Sequence, residues 1–586
     1  MRLIGLGTLL LSCTLFGCND SNGATTAGGG VIVVPSEYAF FSEAGGQNLT
    51  MVSRGGEGLT GDGGGGGVFY VNAYSSGDIL VVPYGTINTD YEVPDVRPEL
   101  GFNPRTITVS ETIQPEPGGN EILGDDGVNT ATGLWVQAGV TLTLMPNNDS
   151  NAQGRYSRAH MAFEDGVIVE GAIFLGPGDS KVFGDGLGNY TASLLIQADN
   201  FWMGTAGVIE THGESVAAGR GADAGDVHLD INGNVVSYGR VVAYGGDGVT
   251  GGGQGGDVEF ESSWYGVYNL GAIDTNGGSA TGAGAMGEWA GDIEMYAHYG
   301  ALVNKGTLTA VGGDGPAGGD WGGDVTLEIG MLVNAARIDT RGGHATVAGP
   351  GGLGGDIYLE SCSGTMRVTG DLDSRGGNGL GVEGNGGHGG NITFYLQDCD
   401  YIYGEYVAGG MFVGANLDAS GGSGAAGGWG GELNFEPDQD EIWKPGLQPT
   451  IICGYTVIDV RGGDGAMDGG DASDYNQIYN DGAYDENDTE YLFDIHMQVD
   501  VLARGGNGLS GRGGRGGSFE INQDDYVYNP MYDRVVRTTA NFDLRGGNGT
   551  TRGGRGGEFM VFDHYMCVNE GDIDTSGGRG GSDYGG

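Results

Sequence analysis

Carboxylates recur in this chain at intervals that would bring them together if its repeats stack. Three residues ahead of a recurring Gly-Gly pair stand Asp274, Thr309, Asp339, Asp373, Asp418, Asp459, Leu502, Asp543 and Asp574. Behind a later glycine block stand Asp257, Asp292, Asp324, Asp356, Asn391, Glu432, Asp471, Ser518 and Glu558. Like charges one repeat apart repel unless something compensates. Backbone N–H groups can do so by capping Asp side chains in glycine turns, and so can calcium, a hard cation that takes oxygen ligands. A third column, inside the second glycine block, reads Gln254, Trp289, Trp321, Leu353, His388, Trp429, Asp468, Arg515 and Arg555. Flanked by glycine, Trp289, Trp321 and Trp429 have little local cover. They are expected to stack on one another and stiffen the block, or to offer an aromatic platform to sugar rings. Other constellations are missing from the sequence: a C-x-x-C zinc spacing, a Ser-His-Asp set, and a phosphate loop with its lysine.

The segment from Gly252 to Phe260, GGQGGDVEF, resembles the nonapeptide of RTX proteins, G-G-x-G-x-D-apolar-x-apolar. The resemblance implies a calcium ion shared between loops of successive turns, with Asp257 as a ligand and Asp292, Asp324 and Asp356 as its counterparts in later units. RTX repeats run in tandem, whereas here one match occurs per long unit, so the partner loop must come from the next unit. Capping and calcium both stay open. The acidic insertion at 464 to 494 is a second calcium candidate or a solvated acidic loop.

The elements that must position these residues follow from the repeat. Leading glycine pairs begin at 245, 277, 312, 342, 376, 421, 462, 505, 546 and 577. After each block, runs such as DVTLEI from 324 and DIYLES from 356 alternate apolar and polar residues, the period of a strand with one buried face. A second segment such as ALVNKGTLTAVGG follows, so a unit reads as strand, bend, strand. One unit is too small to bury its own apolar face, and burial follows if units stack as coils. Helical coils are excluded by the glycine content and the β-branched runs. The expectation is an all-β parallel solenoid with stacked glycine-rich loops, with Val325, Leu327, Ile357 and Leu359 in its core. Each coil adds about 4.8 Å, giving a rod on the order of 70 Å. Residues 130 to 211 carry less glycine but fit the same plan.

Motifs such as LVNKGTLTA and MLVNAARIDT resemble the coils of secreted β-helix proteins of the filamentous-haemagglutinin type. The resemblance implies a right-handed parallel β-helix, surface display and a role in adhesion or cell-surface structure. This chain departs from that family in lacking its secretion domain and in its longer glycine segments. Polygalacturonases are also β-helical, and Asn88-Thr89-Asp90, Asp125-Asp126 and Gly387-His388-Gly389 are similar to three of their motifs. The third lies far beyond the second, however, and the family's Arg-Ile-Lys motif is absent.

Composition bounds the rest. The chain has 586 residues, 128 of them Gly, and a net charge of −52. Nucleic acid is a poor partner for such a surface, so the RGG-like run from Arg504 to Gly517 reads as arginines neutralising acidic columns. The opening MRLIGLGTLLLSCTLFGC has a basic start and an apolar stretch too short to span a bilayer. It resembles a bacterial lipoprotein signal, which implies lipid on Cys18 as the mature N-terminus. The chain divides into a signal at 1–17, a tether at 18–50, N-terminal coils and cap at 51–211, and glycine-rich repeats at 212–586. Cys362 and Cys399 lie one repeat apart, and stacking would bring them together. The functional expectation is an exported, lipid-anchored structural or adhesive protein of the outer membrane or cell surface, meeting extracellular glycan or cells. The alternative is a β-helix polysaccharide lyase or glycoside hydrolase that works in a groove with paired carboxylates or calcium.

Overall fold

The alternating runs are strands, and their apolar residues face inward. In a computed structural model, the described residues are 104–113, 121–124, 131–145, 158–176, 191–328, 331–362, 366–396, 410–439, 450–480, 482–484, 490–491, 494–523, 535–562 and 566–581. Arg97, Leu100 and the short strands Ile32–Val33, Met51–Val52 and Val68–Val71 complete them. They contain no helix and form two sheets of 17 and 27 strands. Cys18 lies outside the described residues.

A typical unit gives one strand to the first sheet and two short ones to the second, which merge into one long strand at Thr450–Asp459 and Asp494–Leu502. Val258–Ser262, then Val267–Asn269 and Ala272–Asp274, form one such set. All three pair in parallel with their counterparts in the next unit, Val258 against Ile293, Val267 against Leu302 and Ile273 against Leu308. The first-sheet ladder continues in step through Val325, Ile357, Ile392 and Leu433. Repetition of register keeps one face inward throughout: Val325, Leu327 and Leu359 are 0 % exposed and Ile357 1 %. Like residues then stack on like, as Phe394 on Phe435 with ring centres 4.8 Å apart. Gly482–Tyr484 and Glu490–Tyr491 form a side hairpin, the single antiparallel strand pair among the described residues.

The glycine blocks differ from the expected loops. Backbone hydrogen bonds leave them in three directions, repeating every third residue. Gly277 N–H donates to Val311 O of the next unit (3.0 Å) and Gly278 N–H to Gly253 O of the preceding one (2.8 Å). Ser279 N–H then turns outward to Asp247 Oδ1 (2.7 Å), and Ala280 N–H donates to the next unit again, at Asp314 O (2.8 Å). The second block repeats this: Ala290 N–H to Trp321 O (3.2 Å), Gly291 N–H to Thr275 O (2.8 Å), Asp292 N–H to Asp257 Oδ1 (2.9 Å). Three residues per turn without internal hydrogen bonds is the polyproline II repeat, so the blocks are two layers of such segments bonded to each other. Interior positions must be glycine because backbones meet there: a Cβ on Gly278 would collide with Gly246 O, and one on Gly313 with Gly278 O. Apart from small residues such as Ala280 and Ala290, only the third residue, facing out, keeps a side chain. The tips are true turns, with φ of +78° at Gly284 and +83° at Gly381.

Two buried polar columns fasten blocks to strands. Thr275 Oγ1 donates to Gly291 O (2.7 Å), and Thr340 and Ser374 repeat the bond to Gly355 O and Gly390 O. At the bend inside the second sheet, Asn269 Nδ2 donates to Asn304 Oδ1 and Asn304 Nδ2 to Asn334 Oδ1, both 2.8 Å. These asparagines belong to the VYN, LVN and MLVN motifs and are fully buried.

Met51–Val52 and Val68–Val71, at the start of the segment expected to form the N-terminal coils, pair with C-terminal strands. Val68–Val71 lies parallel to Glu558–Phe562, and Met51 pairs with Ile573. Met51–Val52 and Val68–Val71 thus extend the C-terminal end, covering edge strands that would otherwise present unpaired amides. Cys362 is disulfide-bonded. Cys399, expected as its partner, lies outside the described residues, and Cys453 and Cys567 are free and buried.

Candidate functional site

Because every third residue of a glycine block points outward, stacked units turn those residues into straight columns on one flank. One column holds Asp226, Asp257, Asp292, Asp324 and Asp356, which make a continuous ladder. Asp257 N–H donates to Asp226 Oδ1 (3.1 Å), Asp292 N–H to Asp257 Oδ1 (2.9 Å), Asp324 N–H to Asp292 Oδ1 (2.8 Å) and Asp356 N–H to Asp324 Oδ1 (2.8 Å). Asn391 and Glu432 extend it, since Asn391 N–H donates to Asp356 Oδ1 and Glu432 N–H to Asn391 Oδ1. Each carboxylate is capped by an amide of the next unit, so the capping partner comes from a neighbouring coil of the same chain and not from its own turn. Asp226 also accepts from Ser193 Oγ at its other oxygen (3.1 Å), whereas the amide caps of Asp257, Asp292, Asp324 and Asp356 use one oxygen of each. Crowding away from bulk water, then the neighbouring Asp226, Asp292 and Glu294, push the Asp257 carboxyl up to about 7. Contact with solvent screens that shift. Withdrawal from water also raises Asp292 and Asp356.

The adjacent column carries the tryptophans. Trp289, Trp321 and Trp429 are 49 %, 50 % and 59 % exposed and lie outside the core. Trp289 and Trp321 stack at 5.4 Å with planes 9° apart. Trp429 stands three units further on, edge-to-face with His388 at 4.9 Å. A groove of about 500 Å³ runs between the two columns, lined by Trp289, Trp321, Asp226, Asp257, Asp292 and Asp324. Asp320, the residue before Trp321, is pushed up to about 6 by burial. Two column assignments shift together in the structure: Asp471, not Asp468, follows Trp429, since Gly430 N–H donates to Asp471 O as Gly389 N–H donates to Trp429 O, and Asp471 therefore does not follow Glu432 in the carboxylate column. The tip of this unit is one residue longer than the tip before it, Gly424 pairing with Gly465 but Trp429 aligning with Asp471.

The carboxylates ahead of the Gly-Gly pairs are compensated differently. Arg341 binds Asp339 through Nε and Nη2 (2.7 and 2.9 Å), Arg375 does the same to Asp373 (2.8 and 2.9 Å), and Arg461 and Arg545 follow at Asp459 and Asp543. Such forked, charge-assisted pairs fix both partners. In the RGG-like run, Arg504 has Leu502 where this carboxylate would be. Arg341, Arg375, Arg461 and Arg504 line a separate groove of about 310 Å³ on the first glycine layer.

Two features escaped the sequence reading. Trp264 and Tyr299 stack at 5.1 Å on successive units and are 61 % and 39 % exposed; aligning ESSWYG with AHYG would have found them. On the outer face of the first sheet, His228, Glu259 and Glu261 have ligand atoms within 4.8 Å of one another. They are the outward residues of two aligned strands, VHLDI and VEFES. Among the described residues no other His, Cys, Asp or Glu set of three converges this closely, the Asp257 ladder included. No protein family matches the chain, and no curated protein or solved structure is significantly similar to it.

Proposed function

We propose that the chain is a right-handed parallel β-helix, exported and held by lipid on Cys18 at the outer membrane or cell surface, and that it serves as a structural or adhesive body there. Its glycine-stack flank meets extracellular glycan. The observation that supports this reading is the exposed Trp289–Trp321 pair beside a groove lined by five aspartates. Aromatic faces take the apolar faces of sugars, and carboxylates accept hydrogen bonds from their hydroxyls. Replacing Trp289, Trp321 and Trp429 together by Ala should leave the melting temperature nearly unchanged and weaken attachment to glycans or cells. A variant that folds and attaches as before would remove the tryptophans from the role. Cys18→Ser should move the protein to the soluble fraction; unchanged membrane retention would end the lipid-anchor reading.

Calcium enters this reading through the second carboxylate oxygens of Asp257, Asp292, Asp324 and Asp356. Chelation should then lower the melting temperature and added calcium restore it, whereas no shift would leave the amide caps as the whole account.

A lyase or hydrolase is the second reading, and one observation favours it. Asp257, pushed up to about 7, shares the tryptophan-lined groove with neighbouring carboxylates, and carboxyls held at different protonation states are what acid–base cleavage of glycosidic bonds requires. Product release from an acidic polysaccharide, lost in Asp257→Asn, would decide for it.

A further inference from the structure

The outer face of the first sheet carries a second site, remote from the glycine flank. His228 and Glu259 are register partners on adjacent strands, and Glu261 follows two residues on, on the same face. His228 Nδ1 lies 3.3 Å from Glu259 Oε2, and His228 Nε2 lies 3.8 Å from Glu261 Oε2. The latter is too long for a hydrogen bond, and His228 Nε2 is buried with no hydrogen-bond partner. From the following unit, His298 Nε2 sits 3.1 Å from Glu261 Oε1. Asp230 and Glu294, register partners of Glu261 and Glu259, add like charge directly alongside. Such pairs destabilise a sheet unless a cation joins them.

The geometry points to a divalent transition-metal site, zinc first, held by His228, Glu259 and Glu261 with one position open, and with His298 positioning Glu261. Zinc accepts imidazole nitrogen and carboxylate oxygen at about 2.0 to 2.2 Å, which puts tetrahedral donors about 3.3 Å apart. His228 turns Nδ1 toward Glu259 and Nε2 toward Glu261, so one nitrogen must serve the ion; with one ligand atom from each residue the three lie within 4.8 Å of one another, and side-chain rotation must close that to the zinc spacing. All three come from strands held in a parallel ladder, so the backbone need not move. Ligating carboxylates are commonly held by a hydrogen bond of their own, as His298 holds Glu261 here. The mixed nitrogen and oxygen set distinguishes it from the all-oxygen environment that calcium selects.

The test uses the full chain, stripped by chelator and then titrated with Zn²⁺ or Co²⁺ in the presence of millimolar Ca²⁺ to occupy unselective carboxylates. One equivalent should bind, and Co²⁺ should give the intense visible absorption of a four-coordinate site. His228→Gln and Glu261→Gln should each weaken binding at least 100-fold, and His298→Ala about 10-fold. Glu328→Gln, on the same sheet face outside the donor set, should leave affinity unchanged. Unaltered melting temperatures would establish that each variant folds. Failure to bind Zn²⁺, or equal loss in Glu328→Gln and Glu261→Gln, would overturn the site.

Discussion

A single methyl group placed inside the glycine stack should separate ordered packing from a flexible loop. Gly278 donates to Gly253 O (2.8 Å) and accepts from Glu288 N–H (3.1 Å). A Cβ there would meet backbone atoms of Gly246 and Gly253, none of which can rotate away. Gly278→Ala must therefore displace the chain. Losing two hydrogen bonds costs about 1 kcal/mol each, and overpacking adds about 1 to 3 kcal/mol, for an expected destabilisation of about 3 to 5 kcal/mol. Gly284, at the tip of the same unit, has φ +78° and nothing near its missing Cβ. Gly284→Ala should cost only about 1 to 2 kcal/mol, the strain of a left-handed conformation. Guanidinium unfolding followed by tryptophan fluorescence suits the comparison, because Trp289 and Trp321 report from this unit and the next. Stacked repeats need not unfold as one, so the difference between variants carries the argument. Equal costs within about 0.5 kcal/mol would refute the close-packed stack.

Three further outcomes follow from the same structure. The folded Asp257 carboxyl, at about 7, holds a proton that the unfolded one, near 3.9, has lost; its contribution to stability is therefore lost as pH rises from about 4 to 7. Asp257→Asn keeps the acceptor for Asp292 N–H, as Asn391 does in its own unit, so denaturation midpoints should favour the variant at pH 8 and converge with wild type by pH 4. Leu327→Ala, at a fully buried position, should destabilise by about 2 to 5 kcal/mol in chemical denaturation. Asn304→Ala interrupts the buried ladder and leaves Asn269 Nδ2 and Asn334 Oδ1 unpaired; a loss of about 2 to 3 kcal/mol is expected in the same assay.

Strands and core were legible because a two-residue period is a local signal, and repetition carried the register of Val325 to Ile357 without further information. The Asp257 to Asp356 ladder was legible as a column for the same reason, although its capping amides come from the next unit. The order of the glycine blocks was not legible. A polyproline II segment makes no hydrogen bond within itself, and the partners of Gly277 and Gly278 lie 34 and 25 residues away in sequence, so composition alone reads as loop. Likewise the pairing of Val68–Val71 with Glu558–Phe562 could not be foreseen, because similarity between strands carries no order. The His228 set and the Trp264–Tyr299 pair emerge only when outward positions of neighbouring strands are aligned.

The account rests on the glycine blocks being a fixed scaffold for outward columns, and amide hydrogen exchange resolved to individual residues measures this most directly. The amides of Gly246, Gly278, Gly313 and Gly343, each bonded to the other layer at 2.8 Å, should exchange as slowly as those of Val258 and Ile293 in the strands, while Gly284 at the tip exchanges rapidly. Exchange of those four glycines at the rate of the tip would contradict the account.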